Sequence, residues 1–154
     1  MKYFVYFIIA IVAMAAIFGF FIVGSPAEER LRRFDERRVQ DLQIIQSEIV
    51  NYWANKDRLP RQLADLQDNI RGFITPKDPE NSNDYGYEVR GNLDFILCAN
   101  FNTSNFQESA NTPKPVSDPY YQQSNWQHNS GNVCFDRNID PQIYGPKIRP
   151  PEKN

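Results

Sequence analysis

The sequence predicts an α+β chain: an N-terminal transmembrane helix that continues into a long amphipathic helix, packed on a small antiparallel β-sheet. Three observations carry this. Tyr3 to Val23 is an apolar run with no charge, amide or proline. From Pro26 to Lys56, apolar residues return every three or four positions, the period of one helix face. From Tyr85 to Phe101 the period changes to two, with Gly91-Asn92 as a turn between two alternating runs. The expected organisation is an anchor over residues 1–25, an α+β domain over 26–140 and a Pro-rich flexible tail over 141–154.

A helix over Tyr3–Val23 rises about 1.5 Å per residue and so spans roughly 30 Å, the thickness of a bilayer's hydrocarbon. It also satisfies its own backbone hydrogen bonds, as lipid requires. A cleaved signal peptide is the competing reading, with Lys2 as its basic start and Ser25-Pro26-Ala27 as a small-residue cleavage site. The run exceeds the usual signal-peptide apolar core of about 7–15 residues, so an uncleaved anchor is expected, with residues 3–23 in lipid. Ala15 and Gly19 form a small-xxx-small pair of a kind common in membrane helices.

Ser25 can cap the second helix, and Pro26 suits its first turn. Glu28 and Glu29 then meet the positive end of the helix dipole. Leu31, Phe34, Arg38, Leu42, Ile45, Ile49 and Tyr52 form one stripe, widened by Val39, Ile44, Val50 and Trp53. On the other face Glu28/Arg32, Glu29/Arg33 and Arg37/Asp41 are i,i+4 pairs. Asp57-Arg58-Leu59-Pro60 ends the helix. Arg61–Leu66 reads as a short helix, and Ile70, Phe73 and Ile74 as an apolar connection. In the hairpin, Tyr85, Tyr87 and Val89 alternate with Gly86, Glu88 and Arg90, and Leu93, Phe95, Leu97, Ala99 and Phe101 alternate with Asn92, Asp94, Ile96, Cys98 and Asn100. Val133-Cys134-Phe135 reads as a third strand. Between the cysteines, 102–132 is a polar, turn-rich stretch of a length that is usually functional or disordered. Its Tyr120, Tyr121, Trp126 and His128 are the candidate partner surface; a folded-in aromatic cluster is the alternative for Tyr120, Tyr121 and Trp126, and for His128 a loop histidine hydrogen-bonded locally or exposed to solvent.

The 154 residues carry a net charge of −2, which gives no electrostatic footprint for nucleic acid. The only histidine, His128, and the two cysteines lack zinc-site spacing. No GxSxG elbow or Gly-rich phosphate loop occurs. No catalytic residue, cofactor or small-molecule substrate is therefore assigned. Asp78, Glu80 and Asp84 are weak Ca²⁺ candidates, since carboxylates and loop carbonyls suit a hard cation, but they are equally ordinary turn formers. Asn102-Thr103-Ser104 is a glycosylation triplet by pattern alone.

Cys98 and Cys134 read more easily as one disulfide than as two free thiols in a small anchored domain. Such a bridge would close about 36 residues and contribute roughly 3–4 kcal/mol on loop-entropy grounds. It implies an oxidising compartment. Arg30, Arg32, Arg33, Arg37 and Arg38 argue the other way, because basic residues just after an anchor favour the cytoplasmic side. They also suit anionic lipid headgroups.

The order of these features resembles the type IV pilins and type II secretion pseudopilins. The residues that carry the resemblance are Asp41-Leu42-Gln43-x-Ile45, Val50-x-Tyr52, Leu59-Pro60 and Asp78-Pro79 before Tyr85-Gly86-Tyr87. Leu97-Cys98-Ala99 and Val133-Cys134-Phe135 complete it, so that roughly residues 30–137 are covered. The chain also resembles a group of small anchored bacterial proteins. The apolar run starts at residue 3 and holds no acid, so no prepilin leader is recognisable. What the resemblance implies is a pilin-like, extracytoplasmic fold. The expected function is that of a non-enzymatic, single-pass envelope protein with a structural or protein-binding role and a protein partner in the envelope. The alternatives are a minor pilin or pseudopilin of a type IV pilus or type II secretion filament, and an anchored periplasmic hydrolase. The sequence sets no oligomeric state.

Overall fold

A computed structural model describes residues 2–23, 26–106 and 125–144, with side chains for 3–14 in the first of these. It divides into two compact units, Met1–Arg33 and Phe34–Asn154. The architecture is α+β, with a long helix and a three-stranded antiparallel sheet.

In the first unit, α1 runs Lys2–Val23. Every described side chain on it, from Tyr3 to Met14, is exposed. Among the described residues, no helix is long and apolar enough to cross a membrane. The next helix, α2, is Pro26–Lys56, with Glu28 and Glu29 in its first turn. Arg33 pairs with Glu29 at 3.3 Å, both exposed, as the i,i+4 spacing predicts.

In the second unit, α2 buries Asp35, Arg38, Asp41, Leu42, Ile45, Ile49 and Trp53. The expected stripe is correct from Arg38 to Ile49. At its C-terminal end Trp53, rather than Tyr52, takes the innermost place, and Tyr52 is half-buried beside it. Ile44, expected to widen the stripe, is exposed. The helix ends where Asp57 adopts φ 53° while its N–H still reaches the Trp53 carbonyl, a left-handed stop of the kind short polar residues tolerate. A 3₁₀ turn at Leu63–Leu66 stands in for the expected short helix over 61–66, with Leu66 buried. Of the apolar connection, only Phe73 packs on the core; Ile70 and Ile74 are exposed.

The sheet order is β1-β2-β3, from Gly86–Val89, Asp94–Phe101 and Gly131–Asn138. Phe95, Leu97, Ala99 and Phe101 are buried, as period two requires. Pairing of β2 with β3 runs from Asp94↔Asn138 to Phe101↔Gly131. The third strand is thus longer than its apolar centre, because backbone pairing carries it through polar residues, of which Asn132, Asp136 and Asn138 are exposed and Arg137 is buried. Cys98 lies opposite Cys134 in this register, and the two form a disulfide with Cα atoms 4.0 Å apart.

The tail expected over 141–154 begins differently. Pro141–Tyr144 form a short helix, α3. Its turn closes on Asp140: the Asp140 side chain accepts from Gln142 N–H, and its carbonyl from Ile143 and Tyr144. Tyr144 packs against the core. Proline at a first helical position fits where an Asp can cap, so Asp140-Pro141 starts a turn rather than an extended tail. The remainder of the tail lies outside the described residues.

Candidate functional site

The densest polar constellation surrounds Arg38, which is only 1% exposed. An arginine has five N–H donors and no acceptor, so burial obliges it to find oxygens. Its Nε and Nη2 form a fork on Asp78, at 2.6 and 3.0 Å. Nη2 also donates to Glu80 at 2.7 Å, and Nη1 to Asp35 at 2.8 Å. One guanidinium thereby ties α2 to the 78–84 loop.

Asp35 extends the network beyond β2. Its carboxylate accepts from the Asn102 and Thr103 backbone N–H groups and from Thr103 Oγ1. The Asn102 side chain donates to Glu80 at 2.9 Å. Asp78 also organises its own loop, accepting from the Glu80 and Asn81 N–H groups. A turn later on α2, Asp41 accepts from the buried Tyr85 hydroxyl at 2.8 Å. Its second oxygen has no well-aligned donor, but Arg37 Nε stands 3.3 Å away as an ion pair.

The proton affinities follow this geometry. Burial alone would raise Asp78, yet Arg38 and the loop N–H groups hold it below the usual carboxylate range. The Asn102 amide and then Arg38 lower Glu80 in the same sense. Burial opposes the charge on Arg38, and the three carboxylates outweigh it, so its affinity for its proton rises. Burial, then Asp41, raises Tyr85. Arg38, Asp78 and Glu80 hold their charges by holding one another, and the Tyr85 phenol keeps its proton.

The calcium candidates are placed accordingly. Asp78 and Glu80 are engaged by Arg38, while Asp84 pairs with Lys77 at 3.2 Å. Among the described residues, no group of three or more His, Cys, Asp or Glu is arranged to hold a metal ion. In the glycosylation triplet, Asn102 and Thr103 are bound into the Arg38 network.

A second cluster gathers part of the candidate partner surface. Trp126 and His128 are both buried, so neither lies on a surface; Tyr120 and Tyr121 lie outside the described residues. The Trp126 ring packs on Phe135 at 4.8 Å between centroids, and the Arg137 guanidinium sits 4.1 Å over it. Arg137 also donates to Gln46 Oε1 and to the Asn125 carbonyl. Burial brings Arg137 down to about 10. His128 stacks on Phe101 with centroids 3.7 Å apart, and its Nδ1 faces the Asn129 carbonyl at 3.4 Å. Asn105 closes the segment, with its side chain accepting from His128 N–H and donating to the Trp126 carbonyl. The folded-in alternative therefore describes Trp126, whereas His128, expected to be locally hydrogen-bonded or exposed in a loop, is buried against Phe101.

Burial lowers the pKa of His128 below its ordinary value. A base whose folded pKa is depressed contributes stability that is complete above its unfolded pKa, near 6.5, and lost as pH falls through that value toward the folded one. Because His128 is the only histidine, the urea midpoint is expected to fall as pH drops below about 6.5. His128→Gln should flatten that slope; an unchanged slope would assign it elsewhere.

Comparison with family models, curated proteins and solved structures returned no match.

Proposed function

We propose that the chain is a non-enzymatic, single-pass envelope protein. In this reading residues 3–23 are an uncleaved membrane anchor and the α+β unit is a pilin-like domain held outside the cytoplasm, with a structural or protein-binding role. The observation that carries it is α1. An apolar helix whose described side chains from Tyr3 to Met14 are all exposed needs an apolar surrounding, and the run continues in sequence to Val23. The disulfide supports an oxidising compartment. The pairing of Arg33 with Glu29 and Arg37 with Asp41, and the burial of Arg38, give those arginines structural roles apart from topology.

Carbonate washing of native membranes followed by intact-mass measurement tests the proposal. Retention in the membrane with an intact N-terminus is expected. A mature start at Glu28 would mean that the stretch is a cleaved signal peptide. A start at Phe20 would favour a processed minor pilin or pseudopilin.

A further inference from the structure

We propose that the Cys98–Cys134 bridge is an exchange site for a protein dithiol, and that it opens while the domain stays folded. The placement of the two cysteines carries this. In β2 the core takes Phe95, Leu97, Ala99 and Phe101, so Cys98 faces the opposite side. In β3 the core takes Phe135 and Arg137, and Cys134 is exposed. The bridge therefore lies on the outer face of the sheet and contributes nothing to the buried cluster. Eight register pairs join β2 to β3, with three on one side of the cysteine pair and four on the other. Those ladder bonds and the aromatic core remain when the sulfur–sulfur bond opens.

Access follows from the same register. Gly86, Cys98 and Cys134 form one row across the three strands. The β1 position in this row has no side chain, and a Cβ there would come within 2.8 Å of Cys98 Cβ. Gly86 is the residue type this close approach of β1 to Cys98 requires, and the β1 position beside the bridge carries no side chain to cover it. The next row carries the exposed acids Glu88, which pairs with Arg90 at 3.0 Å, and Asp136 on either side of Ile96. That fits a partner with basic residues around its reactive thiol.

The exchange balances as follows. A thiolate of the partner attacks the exposed Cys134 sulfur. The Cys98–Cys134 bond breaks, and Cys98 leaves as a thiolate that takes a proton from water. The partner's second thiolate then attacks the mixed disulfide and releases Cys134. Two electrons pass to this chain, and the partner dithiol becomes a disulfide. The proposal does not depend on the anchor reading.

The test uses the full chain in detergent micelles without denaturant. Millimolar dithiothreitol should make both cysteines alkylatable while the tryptophan fluorescence of Trp53 and Trp126 keeps its native form. A thioredoxin-class dithiol at equal thiol concentration should act at least about tenfold faster. Cysteines that stay blocked until denaturant is added would overturn the proposal, as would a reduction rate that tracks loss of the tryptophan signal. A protein dithiol no faster than dithiothreitol would overturn the assignment of the partner. The Cys98→Ser/Cys134→Ser double variant should keep the native spectrum at 25 °C; failure to fold would show that the bridge cannot open in a folded domain.

Discussion

Replacing Arg38 with Met is expected to destabilise the domain by about 3–5 kcal/mol, measured as a fall in the urea midpoint, because it leaves buried carboxylates without their cation. Asp35 and Asp78 are both buried, so solvent cannot replace the guanidinium. Arg38→Lys should recover only part of the loss. An ammonium has no planar fork to serve both Asp78 oxygens while reaching Asp35 and Glu80. The acid limb adds a second signature. Asp78 and Glu80 have lowered folded pKa values, so their contribution is present above the unfolded values near 4 and is lost as pH falls through the folded ones. In Arg38→Met that limb should flatten. A loss within about 0.5 kcal/mol would mean that the network does not hold the domain.

Trp126→Ala should cost a similar amount, about 3–5 kcal/mol, for a different reason. It opens a cavity against Phe135 and removes the ring beneath Arg137. A buried guanidinium that loses its aromatic face is also less well compensated. The sequence alone left two roles for Trp126, and this substitution separates them. A partner-surface residue would leave the isolated protein's stability nearly unchanged, whereas a core residue lowers it. Thermal or urea unfolding of the purified chain reads the difference directly.

Much of the fold was legible because two periods carry it. The step of three or four from Arg38 to Ile49 located the buried face of α2, and the alternation from Phe95 to Phe101 located that of β2. The cysteine pairing was legible because only two thiols exist. What the sequence hid was the partner of each polar residue. Arg38 stood in an apolar stripe without an explanation, and the reason is spread over Asp35, Asp78, Glu80, Asn102 and Thr103, as many as 68 positions apart. Asp41 reads in sequence as part of the charged face, paired with Arg37, and Asp35 carries no periodic signal of its own; both are buried. An arginine inside a stripe, with acids at i−3 and i+3, was the available signal for a buried ion cluster. Trp126 and His128 were ambiguous because they sit in a polar stretch with no period, where only tertiary packing decides burial. The turn at Pro141 was masked by the prolines that follow it.

The most direct test of the account is thiol labelling of the chain in native, right-side-out membranes. With no reductant present, neither Cys98 nor Cys134 should take a maleimide, even after the membrane is opened. After an impermeant reductant is added from outside, both should be labelled by an impermeant maleimide with the membrane still sealed. Free cysteines that react only once the membrane is opened would contradict the account. They would place the domain on the cytoplasmic side with its thiols reduced, as the arginines that begin α2 would direct.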